Sequence, residues 1–175
     1  MKTYEYSLTF RLPASNPNPD DYLDILFEAG CDDALIGLGT QGSIAIDFSR
    51  LESSASKAVH GAINQVKMAI PGVELLEVKP DLVGLSDIAE LVDCSRQNIR
   101  KLAVDSKAAF PQPSVSGSVP LWHFFEVGRW LMDSPRIKSK PTEESIEVSK
   151  IAFKLNMAVQ HDRFEKCVAE DKSVY

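Results

Sequence analysis

Leu85-Ser86-Asp87-Ile88-Ala89-Glu90-Leu91-Val92-Asp93-Cys94-Ser95-Arg96-Gln97-Asn98-Ile99-Arg100-Lys101-Leu102-Ala103 carries two short helical patterns separated by a turn. Its first eight residues read as a short helix with Ser86 as the N-cap. The helical pattern breaks at Asp93-Cys94, and Ser95 is placed to cap a second helix over 96–103. Ile88, Val92, Ile99 and Leu102 supply the apolar faces, and Ala89 is small where two crossing helices must approach closely. With Ile99 and Leu102 turned inward, Gln97, Asn98, Arg100 and Lys101 lie outward and Arg96 sits at the margin. Amide, guanidinium and ammonium groups on one face are what base edges and phosphates require. Yet every amphipathic helix pair has a polar outer face, and most such faces are simply solvated, so the residues that follow must decide.

Downstream stand Phe110-Pro111-Gln112-Pro113, then Gly117, then Leu121-Trp122, then Phe125-Glu126-Val127-Gly128-Arg129-Trp130-Leu131. In this order they resemble the winged helix-turn-helix modules of the MerR superfamily and of AlpA-like, excisionase-type regulators. In that family a recognition helix leads to an F-P-x-P turn, a short β-wing, a tryptophan and a helix containing E-V-x-x-W-L. The similarity covers Leu82 to Met132 and no more, and Asp93 stands where the family's turn usually has glycine. The resemblance implies that Trp122 and Trp130 are core residues and that Ser95, Arg96, Gln97, Arg100 and Lys101 face DNA. Ser86, Asn98, Lys107 and Ser116 at the wing tip complete the expected DNA-binding set.

Charge distribution is compatible with this. The chain is acidic, with 19 Lys/Arg, 25 Asp/Glu and a formal net charge of -6. Residues 81–140 are the exception, with eight basic residues against seven acidic ones. Apart from Arg129, their bases fall in two clusters, Arg96, Arg100, Lys101, Lys107 and then Arg136, Lys138, Lys140. Local rather than total charge sets attraction to phosphates, so acidic flanks lower non-specific binding without forbidding a specific contact.

Residues 1–80 read as a separate α+β domain. Tyr4, Tyr6, Leu8, Phe10 and Leu12 alternate with mostly polar neighbours, which is a strand pattern. Asn18-Pro19-Asp20-Asp21 reads as a cap, a first-turn proline and two acids on the positive end of a helix dipole. Gly30 stops that helix. Ala34–Leu38 and Ser43–Phe48 read as strands joined by a glycine-rich turn. The apolar stripe from Ala55 to Ile70 predicts a helix ended by Pro71-Gly72, and Val73–Val78 predicts a last strand. The order β-α-β-β-α-β predicts a ferredoxin-like sandwich. Gly37-Leu38-Gly39-Thr40-Gln41-Gly42 matches a phosphate-binding G-x-G-x-x-G, but that motif must open a helix. Here the alternating Ser43–Phe48 follows, so a hairpin turn is the better reading.

The expected boundaries are therefore 1–80, a central winged helix-turn-helix at 81–133, and a tail at 134–175. The tail opens with the basic, proline-bounded linker Ser134–Pro141. Thr142 then caps a helix with Glu143, Glu144 and Glu147 near its N-terminus. Val148, Ile151, Leu155 and Ala158 make an apolar stripe. Docking onto the chain's own core and pairing two copies explain that stripe equally well, and these four residues are the candidate dimerisation contacts.

Catalytic chemistry is thin. His60, His123 and His161 fall in different segments, no H-E-x-x-H or G-x-S-x-G occurs, and no cysteine pair has zinc spacing. No metal, cofactor or enzymatic activity is expected. Cys31, Cys94 and Cys167 are few and far apart, which fits reduced thiols in the cytoplasm. Cys94 precedes a helix N-terminus, which can lower a thiol pKa, but a small packed cysteine is the simpler account. Asp32-Asp33 beside Asp20-Asp21 reads as solvated loop acid rather than a cation site. There is no signal peptide pattern and no apolar run long enough for a membrane helix. The sequence thus predicts a cytoplasmic, nucleoid-associated, sequence-specific double-stranded DNA-binding regulator, a repressor acting as a homodimer. The alternatives are an excisionase-like architectural factor and an antitoxin-like protein whose acidic N-terminal domain binds a toxin-like partner.

Overall fold

The computed structural model describes residues 1–37, 41–105 and 110–172. Mixed α+β structure is observed, with two antiparallel sheets and six α-helices among the described residues. The larger sheet is built from β1 (Lys2–Arg11), β2 (Ala34–Gly37), β3 (Ser43–Glu52) and β4 (Glu74–Lys79). Its spatial order is β2-β3-β1-β4, every neighbour antiparallel. Two short helical segments follow β1: a 3-10 turn at Pro19–Tyr22 and α1 (Leu23–Glu28). The Asn18 side chain accepts from the Asp20 amide, and Gly30 at φ +83° lets the chain leave the helix. A longer helix, α2 (Ala55–Ala69), starts at Ser54, whose Oγ accepts from Lys57 N at 3.3 Å.

Period-two alternation makes one face of this sheet apolar. Tyr4, Tyr6, Leu8 and Phe10 of β1 are buried beside Ile44, Ile46 and Phe48 of β3 and beneath Ala58, Val59, Ala62 and Val66 of α2. Each large side chain so buried contributes about 1.5–3 kcal/mol relative to exposure. Tyr6 shows how the polar ends are satisfied: its ring stacks on Phe48 with centroids 5.3 Å apart, and its hydroxyl donates to the Ala58 carbonyl at 2.8 Å. The G-x-G-x-x-G stretch connects β2 to β3, with Gly42 at φ +89° at the start of the strand. Leu38, Gly39 and Thr40 lie outside the described residues. A strand, not a helix, follows the last glycine, so no phosphate-binding helix N-terminus is present there.

The second half begins with β5 (Leu82–Val83) and continues through α3 (Leu85–Leu91) and α4 (Arg96–Asp105). After Phe110 the chain forms a small hairpin, joined by a bridge between Val115 and Leu121, and enters β6 (Trp122–His123) and α5 (Phe124–Asp133). β5 pairs with β6, a two-stranded sheet too short to show any period in the sequence. A second core gathers Val83, Ile88, Ala89, Val92, Ile99, Leu102, Trp122, Phe124, Val127, Leu131 and Ile137.

The last helix, α6 (Glu143–Lys172), corrects the expectation for the tail. It packs on β4, β1, α2 and α5. Val148 is buried in the core of the large sheet, and Ile151 and Leu155 pack against the same core. Only Ala158 of the four candidate dimerisation residues is exposed. The stripe is consumed within the chain because the sheet would otherwise leave part of its apolar face open beside α2. Residues 134–172 are therefore packed into both cores: Ile137 joins the second and α6 the first. Among the described residues no helix is long and apolar enough to cross a membrane.

Candidate nucleic-acid interface

The α3–α4 corner is fixed by its apolar side and by its turn. Ile88, Val92 and Ile99 are fully buried, and Ala89 and Leu102 nearly so. Between the helices, Asp93 N donates to Glu90 O and Cys94 N to Ala89 O at 2.8 Å. Asp93 has φ +46°, the left-handed conformation in which a glycine would be unstrained. An aspartate tolerates that region better than most side chains, which is how it serves at this position. Ser95 Oγ accepts from Asn98 N at 3.2 Å, so Ser95 caps α4 as its sequence position implies.

Ser86 does not cap α3. Gly84 is the N-cap, and its amide donates to Asp87 Oδ2 at 2.7 Å. Ser86 is instead an exposed residue of the first turn. A serine two residues too late is easily mistaken for a cap, because the Asp87 carboxylate three residues beyond Gly84 does the capping from the other side.

On α4, Arg96, Gln97, Asn98, Arg100 and Lys101 are all exposed. Among the described residues none of the three cations has an ion-pair partner. Six other cations, Lys2, Arg11, Arg50, Lys79, Arg129 and Lys166, each meet a carboxylate, whereas Lys57, Lys67, Lys150 and Lys154 have no ion-pair partner among the described residues either. What sets α4 apart is that three such cations share one short exposed helix with Gln97 and Asn98. The Cys94 thiol donates to the Ser95 carbonyl at 3.8 Å. Burial raises the Cys94 pKa and outweighs the opposing influence of Asn98, so the helix N-terminus does not lower it. Cys94 packs against the second core, as a small apolar residue would.

A groove of about 780 Å³ runs between α4 and the hairpin, lined by Leu85, Arg96, Gln97, Arg100, Ser118 and Pro120. The hairpin residue that meets α4 there is Ser118, with Pro120, and not Ser116. Ser116 is exposed at the tip, between the paired residues Val115 and Leu121. The register of that bridge decides which serine faces the helix, and a five-residue tip has no periodicity from which to read it. Lys107 lies outside the described residues.

The F-P-x-P turn is held against β6 and α5 by aromatic contacts. Phe110 meets Trp122 and Trp130 edge-on, with centroids 5.8 Å and 5.0 Å away. Trp122 Nε1 donates to the Pro111 carbonyl at 2.9 Å. The F-P-x-P turn is thus seated on both tryptophans, Trp122 buried and Trp130 partly so. At the end of α5, Lys140 Nζ donates to the carbonyls of Leu131 (3.2 Å) and Ser134, which satisfies the helix C-terminus. Arg136 and Lys138 of the second basic cluster remain exposed beside it.

Compared with known proteins, the chain shows no significant match to any family model, curated protein or solved structure.

Proposed function

We propose that the chain is a sequence-specific double-stranded DNA-binding protein and a transcriptional repressor, with α4 as the recognition helix of a winged helix-turn-helix. The observation that carries this reading is the exposed face of Arg96, Gln97, Arg100 and Lys101, free of ion pairs in an acidic chain and sharing a groove with the hairpin. A helix of this width enters a major groove, where Gln97 can read an adenine edge and Arg96 or Arg100 a guanine edge. Lys101 and the exposed Ser86 are placed for phosphates, and the hairpin acts as the wing. The resemblance to MerR-superfamily and AlpA-like modules supports the same assignment. The N-terminal half reads as a ferredoxin-like sandwich, supported by its β-α-β-β-α-β order and the strand order β2-β3-β1-β4.

The reading includes a homodimer on an inverted repeat. A single small module covers roughly 600–1,000 Å² of DNA-facing surface, and the acidic flanks add little non-specific attraction. Two linked modules raise affinity through effective concentration. Since the Val148–Leu155 stripe is used internally, pairing through α6 would move to its distal turns. There Met157 and Phe164 are exposed one heptad apart.

Selection of bound duplexes from random DNA by the purified full chain tests the proposal. The expected product is a single recurrent motif, in two inverted copies spaced by whole helical turns. Recovery of unenriched sequence would remove the claim of specificity. Strong bending of the selected DNA would favour the excisionase-like alternative.

A further inference from the structure

We propose that the free edge of the large sheet, at β2, takes an extended lysine- or arginine-rich segment of a partner protein as a fifth strand. The two edges of this sheet are treated differently. At β4 the edge is closed: Asn156 of α6 accepts from Val78 N at 2.8 Å and donates to Val78 O at 2.9 Å, occupying both ladder groups with one amide. At the other edge β2 pairs with β3 and, among the described residues, has no strand on its outer side. Natural edges are defended by shortness, a lysine, a proline or a bulge. The β2 sequence, Ala34-Leu35-Ile36-Gly37, is short but carries no lysine, proline or bulge, and Leu35 is 73% exposed.

Beside this edge lies a cleft of about 1090 Å³ between the open face of the sheet and α3. Its apolar contribution includes Leu35, Leu82 and Leu91, all exposed. Its charge is negative. Asp33 is neutralised by Arg50, through contacts of 2.7 and 2.9 Å, and Asp81 is bonded to His123 and Asn156. That leaves Glu5, Asp32, Asp47, Asp87 and Glu90, which have no ion-pair partner among the described residues, although Asp87 accepts from the Gly84 amide and Asp47 from the Ser7 hydroxyl. The one lysine of the cleft, Lys79, is paired with Glu77.

Charge selects the occupant. Two copies of this chain meeting β2 to β2 would bring the same carboxylates together, and nucleic acid would be repelled by them. A basic strand satisfies both features at once. Its backbone completes the β2 ladder, and alternate side chains fall on the open face next to Leu35 and Asp47, which are paired across β2 and β3. An added strand stands about 4.8 Å from β2 and twice that from β3, a span that a long basic side chain meeting a carboxylate can cross.

The proposal is independent of DNA binding. The probe is a short fluorescein-labelled peptide alternating lysine with valine and threonine, added to the full chain and followed by anisotropy. Expected are binding that weakens about tenfold or more between about 50 and 300 mM salt, slower hydrogen exchange at an amide within Ala34–Gly37, and no binding of the glutamate-for-lysine peptide. The Asp32→Asn/Asp47→Asn variant should lose most of the affinity, while Arg100→Ala should keep it. No binding at millimolar peptide, equal binding of the glutamate peptide, or binding without protection of β2 would each overturn the proposal. So would a self-associated chain whose own β2 amides are already protected.

Discussion

Asp93 does what a glycine usually does in such a turn, and its φ of +46° carries a conformational cost. For most side chains the left-handed region costs about 1–2 kcal/mol, and somewhat less for aspartate. Asp93→Gly should therefore raise stability by about 0.5–1 kcal/mol, and Asp93→Val should lower it by more than that, read from denaturant midpoints. A destabilised glycine variant would mean that the Asp93 carboxylate has a role beyond the turn. Reactivity follows burial in the same residue-by-residue way. Burial raises the thiol pKa values of Cys31 and Cys94, whereas Cys167 is exposed. Iodoacetamide at neutral pH should then modify Cys167 first and Cys31 last, and mass spectrometry of the digested protein resolves the order. Early labelling of Cys94 would contradict its packed role. The outward face of α4 was legible from Ile99 and Leu102 alone, because helical spacing fixes which residues oppose them. The cap of α3 was not legible, because it rests on one hydrogen bond, from the Gly84 amide to Asp87, that leaves no pattern in the chain.

At the scale of elements, α6 is the instructive case. An apolar stripe announces that a helix will be buried, but not against what, and Val148, Ile151 and Leu155 fit a foreign helix as well as their own sheet. The deciding contacts are polar and distant in sequence. Asn156 bonds Val78 and also donates to Asp81 Oδ2 at 2.8 Å, across more than 70 residues. Asn156→Leu keeps the volume but strands the Val78 amide and carbonyl and the Asp81 carboxylate, so it should cost about 2–4 kcal/mol by urea unfolding. A loss below about 0.5 kcal/mol would show that water replaces the amide at no penalty. Ending the chain at Lys140 should unfold the N-terminal sheet rather than merely release a partner copy, since it exposes the core around Val148 and Ala152. Circular dichroism of the shortened chain checks this, and a cooperative sheet transition at the full-length midpoint would refute it. Close approach matters on α5 as well. A side chain at Gly128 would meet Ile146 at 3.3 Å and Phe124 at 3.4 Å, which makes Gly128→Val an overpacking substitution costing about 1–3 kcal/mol.

Across the whole molecule, the two cores are joined at Asp81. Its carboxylate accepts from His123 Nδ1 and from Asn156 Nδ2, each at 2.8 Å, and its carbonyl accepts from the Phe124 amide at 2.8 Å. His123 also packs on Phe125 and on Phe153 of α6. The large sheet, the β6–α5 junction and the last helix therefore meet in one polar cluster, although the sequence divides them into three consecutive segments. The β-α-β-β-α-β order was legible because each element carries its own period and its own stop. The joint was not, because Asp81 and Asn156 are ordinary polar residues until the chain brings them together. The central claim is that α4 reads DNA. Fluorescence anisotropy of the selected duplex with the Arg96→Ala/Gln97→Ala/Arg100→Ala chain, beside wild type at several salt concentrations, tests it most directly. A folded triple variant should bind at least about a hundredfold more weakly, with a shallower dependence on salt as phosphate contacts are lost. Wild-type affinity and an unchanged salt slope in that variant would contradict the assignment.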